Sequence, residues 1–144
     1  MLKLQVFKYN PDKRFLFQIR DQFHIRKKFF NSKKNSFIEH LIWINKNYKN
    51  NIIFIINSDN KKIGYIRYKK EKNSYEISIA IEKKIQGKGI SKEALKMSEK
   101  FLKSKIIKSK VLKNNRRSLN FFKSCDYKVQ KSYQTFIELI KILK

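Results

Sequence analysis

The chain has 144 residues, 41% of them apolar, a formal net charge of +25 and a single cysteine, Cys125. That length suits one domain whose core buries about two-thirds of the unfolded chain's surface. No run of about 20 apolar residues could span a membrane, no signal peptide opens the chain, and a lone cysteine excludes an internal disulfide framework and points to the cytoplasm.

The start, Leu2 to Phe7, alternates and reads as a strand. Asn10-Pro11-Asp12 breaks it. Short helices are predicted over Arg14 to Ile19 and His24 to Asn31, followed by a polar link from Ser32 to Asn35. Ser36-Phe-Ile-Glu39 is a capping box that opens a helix running to Tyr48, with Ile38, Leu41, Ile42 and Ile44 as its apolar surface and Trp43 alongside. Ile52 to Ile56, Lys62 to Tyr68 and Tyr75 to Ile81 form an antiparallel meander, turned at Ser58 to Lys61 and at Glu71 to Asn73. In the second of these strands Ile63, Tyr65 and Arg67 are expected on one face. Lys92 to about Ile107 is predicted helical, then Val111-Leu112 a short strand and Ser118 to Lys123 a helix. Tyr127 to Ser132 and Phe136 to Ile142 complete the strands. The order points to an α/β (α+β) architecture, a mixed sheet with helices on its faces.

The most informative segment joins the third meander strand to the next helix. Glu76-Ile-Ser-Ile-Ala-Ile-Glu-Lys-Lys-Ile-Gln-Gly-Lys-Gly-Ile-Ser91 holds two of the chain's three glycines. Glycine is costly in ordered backbone, so this point requires unusual conformational freedom. Strand, glycine loop and helix N-terminus together make a phosphate cradle. Amides from Gln86 to Ser91 could surround a pyrophosphate, with point charge from Lys83, Lys84 and Lys88. The alternative is a tight turn with no ligand.

The net charge invites a nucleic-acid reading. Lysine supplies nearly all of it, spread along the chain beside abundant Asn and Ile, and arginine occurs only at Arg14, Arg20, Arg26, Arg67, Arg116 and Arg117. We read this as compositional bias rather than a nucleic-acid-binding face. Its firmer consequence is a field that favours acidic small molecules. No His, Cys and Asp cluster has metal-ligand spacing, so no metal is expected.

Gln86-Gly87-Lys88-Gly89-Ile90-Ser91 resembles the Gln/Arg-x-x-Gly-x-Gly/Ala signature of the GNAT superfamily of acetyl-CoA-dependent N-acetyltransferases, with Ser91 in the last small position. Asn115-Arg-Arg-Ser118, Phe121-Phe122 and Asp126-Tyr127 resemble that family's Asn-x-x-Ser, Phe-Tyr and Gly-Phe segments. The resemblance implies a mostly antiparallel GNAT-like sheet flanked by helices on both faces. It implies that the loop binds the pyrophosphate of acetyl-CoA, with Gln86, Gly87, Lys88, Gly89, Ile90 and Ser91 as contacts. It further implies a bulge near Ile79, Ala80 and Ile81, where a backbone amide polarises the thioester carbonyl and pantetheine lies beside the fifth strand. Asn115, Phe121 and Phe122 join the cofactor side. Ile19-Arg20-Asp21, Arg26, and Ser36 to Trp43 with His40 resemble the branch that holds the pseudaminic-acid-pathway amino-sugar and the ribosomal-protein N-acetyltransferases. That likeness places Arg20, Arg26, His40 and Trp43 at the acceptor, with Glu76.

Deprotonating a lysine-like amine at neutral pH costs about 4.6 kcal/mol, and an amine of pKa about 8 costs about 1.4 kcal/mol. A base is therefore useful but need not be strong. Glu76, which opens the fourth strand, is the first candidate, ahead of Glu82 and His40. Many family members protonate the departing thiolate with the tyrosine of the Phe-Tyr pair, and Phe122 cannot. A thiol of pKa about 8.5 that leaves as thiolate at neutral pH forfeits only about 2 kcal/mol, so an enzyme remains the reading. The expected reaction is direct acetyl transfer to a primary amine, by preference on a nucleotide-linked 4-amino-4,6-dideoxy sugar. A protein N-terminus or lysine is the alternative acceptor, and a non-catalytic CoA- or nucleic-acid-binding protein the alternative class. The oligomeric state is left open, a homodimer included.

Overall fold

The computed structural model describes residues 1–22, 37–103 and 105–144. Its strands are β1 (Leu2–Val6), β2 (Asn51–Ser58), β3 (Lys61–Lys70), β4 (Tyr75–Ile81), β5 (Ile106–Leu112), β6 (Lys128–Ser132) and β7 (Phe136–Ile142). They form one sheet in the order β1-β2-β3-β4-β5-β7-β6. Every neighbouring pair is antiparallel except β4–β5, which is parallel. The helices are α1 (Tyr9–Asp21), α2 (Phe37–Asn47), α3 (Ile90–Glu99) and α4 (Arg116–Ser124).

Two apolar layers cover the sheet. On one face Phe54, Ile66, Tyr68, Ile77 and Ile81 pack with Ala94 and Leu95 of α3 and Leu119 and Phe122 of α4. On the other, Ile53, Ile55, Tyr65 and Ala80 pack with Leu16 and Ile19 of α1 and Ile44 of α2. The centre of β2 is buried on both sides, which explains why its sequence is a continuous apolar run rather than an alternation.

Helix α1 is longer than Arg14 to Ile19 and absorbs Asn10-Pro11-Asp12, read from the sequence as a break. Pro11 lies in the first turn, where a missing N–H costs nothing because the helix offers it no acceptor. Asp12 is fully buried; it accepts the Lys8 amide at 2.7 Å and the Lys62 ammonium at 2.8 Å. In α3 the expected continuation to Ile107 does not occur. The helix stops at Glu99, and Ile106 and Ile107 open β5. The apolar spacing through Phe101 and Leu102 mimics a helix, but β5 pairs with β7 over seven residues from Ile106–Ile142 to Leu112–Phe136. That non-local ladder overrides the local period. The predicted helix His24 to Asn31, its polar link, the capping Ser36 and Arg26 lie outside the described residues.

The bulge also falls elsewhere. β4 pairs with β3 without interruption from Tyr75 to Ile81, so no bulge interrupts that pairing at Ile79, Ala80 and Ile81. Register shifts occur in β3 and in β6 instead: in β3, Ile56 pairs with Gly64 and Asn57 with Lys62, leaving Ile63 as the extra residue. An extra residue reverses side-chain parity. Ile63 therefore packs with Ile66 and Tyr68, away from Tyr65, contrary to the alternation expected for Ile63, Tyr65 and Arg67.

Beyond α4, Asp126 takes a left-handed φ of 71°, which Asp tolerates better than most residues. Cys125 and Tyr127 on either side of it are buried. Beside the bulge, a Cβ on Gly64 would stand 2.3 Å from the Ala80 carbonyl oxygen, a backbone atom that cannot swing aside. Gly64→Ala should therefore lower stability by about 1–3 kcal/mol, the ordinary cost of overpacking. Urea unfolding would measure it, and an unchanged midpoint would show that β3 and β4 can separate without penalty.

Candidate active site

The parallel pairing of β4 and β5 is confined to Tyr75–Ile107 and Glu76–Lys108. Beyond it the strands part while β3 still holds β4 and β7 still holds β5. The Glu82 amide donates to the Ile63 carbonyl at 2.9 Å. This sets the phase of the antiparallel ladder: even-numbered residues of β4 turn their amides to β3, and odd-numbered ones turn theirs toward β5. Ile79 and Ile81 thus direct backbone N–H groups into the gap. Ala80 directs its own at β3, which corrects its expected carbonyl-polarising role.

The gap opens into a cleft of about 290 Å³ on the α3–α4 side, lined by Ile79, Ile81, the glycine loop, Arg117 and Phe121. Gly87 and Gly89 have φ of 86° and 76°. A Cβ on either would find no close neighbour, so glycine is required here by backbone conformation, not by space. Gly89 is the N-cap of α3 and offers no side-chain oxygen. The amides of Ile90, Ser91 and Lys92 consequently have no acceptor in a preceding helical turn, and the helix dipole adds positive potential there. Lys92 and Arg117 bring full charges to the same cleft, and Lys92 did not stand among the candidates read from sequence. Donors, dipole and cations together fit a pyrophosphate. Gln86 turns its side chain inward, donating to the Ile81 carbonyl at 3.1 Å, and so ties the loop to the end of β4. Lys88 is exposed and Ile90 packs against the core.

A smaller chamber of about 80 Å³ adjoins this cleft through Ile79 and Ser118 and passes between the strands. Ser78 and Lys110 enter it from one face of the sheet, Asn115 and Phe122 from the other. Asn115 caps α4, its side-chain oxygen accepting the Ser118 amide at 3.2 Å. Phe122 is buried, its ring edge-on to Phe121 and Tyr127. Behind it the Tyr127 hydroxyl donates to Glu99 at 3.0 Å, and Tyr68 bonds Ser98 at 2.6 Å. Burial pushes both phenols well above their ordinary range.

On the opposite face, Glu76 is half-buried with the Lys110 ammonium 3.9 Å from its carboxylate. Arg67 donates to Ser78 at 3.2 Å and Arg20 to Tyr65 at 3.2 Å. Both guanidiniums lie over Trp43, at 4.5 Å for Arg20 and 5.1 Å for Arg67. The Arg67 Nε is buried without a partner, and burial lowers that guanidinium's pKa. Arg67 escaped the sequence reading because its neighbours come from two other elements. His40 is buried between Phe17 and Trp43, its Nε2 likewise without a partner. Among the described residues no group of three or more His, Cys, Asp or Glu could hold a metal ion, and no helix is long and apolar enough to cross a membrane.

A parallel pair that splays over a glycine loop and helix N-terminus makes a cleft suited to an elongated ligand with a pyrophosphate at one end. The model of the acetyltransferase (GNAT) family matches residues 16–127, and the chain belongs to that family. It is therefore an acetyltransferase, and acetyl-CoA is the donor that the family uses. No curated protein matches the chain by sequence. Among solved structures, a domain from Methanocaldococcus jannaschii is 24% identical with a TM-score of 0.89, covering 99% of each chain. The spermidine N-acetyltransferase from Vibrio cholerae, in complex with CoA and spermine, is 20% identical with a TM-score of 0.81, covering 98% of this chain and 95% of that one. The Campylobacter jejuni N-acetyltransferase PseH, in complex with acetyl coenzyme A, is 20% identical with a TM-score of 0.74, covering 100% of both.

Burial first, and the Arg20 charge second, lower the His40 pKa from 6.5 to about 4. The fold thus favours neutral imidazole. Its contribution to stability is fully present above pH 6.5 and is lost as pH falls through that window toward 4. His40→Leu should flatten the acid limb of stability against pH between those limits, as thermal unfolding at each pH would report. An unchanged slope would mean that His40 is already protonated in the native state.

Proposed function

We propose that the protein transfers the acetyl group of acetyl-CoA to the primary amine of an anionic small molecule, by preference a nucleotide-linked 4-amino-4,6-dideoxy sugar. The observation that carries the acceptor is the pair of guanidiniums, Arg20 and Arg67, on the Trp43 ring beside Glu76. Arginine on an aromatic plate suits phosphate and base together. Two fixed cations repel a polyamine such as spermidine. The likeness of Arg20, His40 and Trp43 to the amino-sugar branch supports the same acceptor.

In this mechanism the amides of Gly87 to Ser91, with Lys92 and Arg117, hold the pyrophosphate. The strand gap receives the pantetheine arm. The Ile79 or Ile81 amide donates to the thioester oxygen as negative charge builds on it, an interaction worth most in a site that excludes water. Glu76 takes the proton of the amine. Nitrogen bonds to the acetyl carbon, the carbon–sulfur bond breaks, and sulfur keeps the electron pair. Both substrates must be present together, because among the described residues no side chain at the site is placed to carry the acetyl group between them. Cys125 is buried, and burial raises its thiol pKa, so it serves poorly as a nucleophile.

Free-thiol release from acetyl-CoA would test this with three acceptors: a UDP-linked 4-amino sugar, spermidine and a peptide with a free N-terminus. The sugar should give the highest kcat/KM. Acetylation of peptide but not of sugar would overturn the acceptor. Arg67→Met should raise the KM of the sugar about tenfold, the scale of a lost charge-assisted bond, and leave the KM of acetyl-CoA alone. Glu76→Gln should slow turnover most below the pKa of the acceptor amine, and an unaltered pH–rate profile would remove Glu76 as the base.

A further inference from the structure

Phe122 leaves the proposed reaction without a proton donor where related enzymes have a tyrosine. The nearby tyrosines do not replace it, since the Tyr127 hydroxyl is committed to Glu99 and the Tyr68 hydroxyl to Ser98. Serines 78, 109 and 118 line the inner chamber, but a neutral hydroxyl offers a thiolate only an ordinary hydrogen bond. Lys110 is the one cation among the described residues that line that chamber. It reaches the chamber from β5, through the fork between the strands, on the face opposite Phe122. We propose that Lys110 stabilises the departing CoA thiolate and, with Glu76, completes a proton circuit that needs no tyrosine.

Three placements support this assignment. Lys110 is one-third exposed, so its ammonium is neither immersed in solvent nor sealed in the core. Its distance to the Glu76 carboxylate is 3.9 Å, close enough to orient the ammonium but longer than a direct hydrogen bond. Across β7 its partner in the ladder is Glu138, which in turn faces Lys131 of β6. Lys110 thus sits between two acids, Glu76 and Glu138, a setting that keeps its ammonium near the fork. Lys92 and Arg117 are the other cations of the connected cleft, and they belong to the glycine-loop side.

The step balances within the proposed reaction. The amine proton passes to Glu76 as nitrogen bonds to the acetyl carbon. The carbon–sulfur bond breaks and its electron pair stays on sulfur beside the Lys110 ammonium. Lys110 gives a proton to the thiolate and regains one from the Glu76 carboxyl. The products are the amide and CoA thiol, with both side chains restored.

This inference rests on acetyl-CoA occupying the gap, and its test uses CoA alone, with no acceptor. The thiol pKa of bound CoA is read from the pH dependence of its alkylation by iodoacetamide, with the alkylated CoA measured by mass so that Cys125 does not contribute. An opposite charge within a few ångströms moves a pKa by about 1–3 units. The bound thiol should therefore titrate about 1–3 units below the free value of about 8.5. Lys110→Met should return it toward that value while the affinity for CoA in its thiol form, measured at a pH below the bound pKa, is kept, and Lys110→Arg should hold it low. Lys110→Gln provides the same comparison if the methionine variant does not fold. A bound thiol that titrates alike in the parent and the charge-deleted variants would overturn the role of Lys110 while leaving the CoA site intact. Failure of the parent protein to bind CoA would instead sink the site, and this inference with it.

Discussion

Two adjacent strands that pair for two residues and then separate set up everything else in this molecule. The separation is tolerated because each strand keeps a full ladder on its outer side, β4 with β3 and β5 with β7. The inner amides and carbonyls leave the β4–β5 ladder; the Ile81 carbonyl accepts from the Gln86 side chain, and the cleft can offer others a ligand or water. The same divergence gives the cleft access from both faces of the sheet. Pyrophosphate-type donors lie on the α3–α4 side, and the arginine-covered Trp43 lies on the α1–α2 side. A fully zipped parallel pair would leave the glycine loop at the surface with nothing behind it.

The loop was legible because glycine is scarce in this chain. Positive φ at Gly87 and Gly89 is the physical demand that such scarcity signals. Strand identities were largely legible too, since period-two patterns survive half-burial. Three things were hidden because each depends on residues distant in sequence. Gly64 reads as an unremarkable strand glycine until the Ala80 carbonyl is seen pressed against it. The end of α3 is set by the ladder of β5 with β7, not by any local breaker. Lys110 is one lysine among many, and only the fork between β4 and β5 distinguishes it. Arg67 was hidden for a related reason. Its partners, Ser78 and Trp43, come from two other elements.

With 11 acidic residues against 36 basic ones, carboxylates are scarce in this protein. Several of the described ones are closely used. Asp12 joins the N-terminal turn of α1 to Lys62 of β3. Glu99 holds Tyr127 and Lys141 together behind α4. Glu76 stands beside Lys110 at the fork. The Asp59 pair with the N-terminal ammonium is fully exposed and contributes little. Buried or half-buried acids therefore sit where elements must be fixed relative to the gap, while the lysine excess remains on the outside, where water and salt screen its mutual repulsion.

Cys125 lies at the C-terminal end of α4, 1% exposed, its amide bonded to the Phe121 and Phe122 carbonyls. It is the chain's only thiol. A thiol reagent can reach it only when this end of the helix opens, so its labelling rate reports the local opening free energy of the element that carries Asn115, Phe121 and Phe122. The protein thus carries its own single-site gauge of how firmly one wall of the cleft is held, and occupancy of the cleft can be read as slower labelling without any change to the sequence.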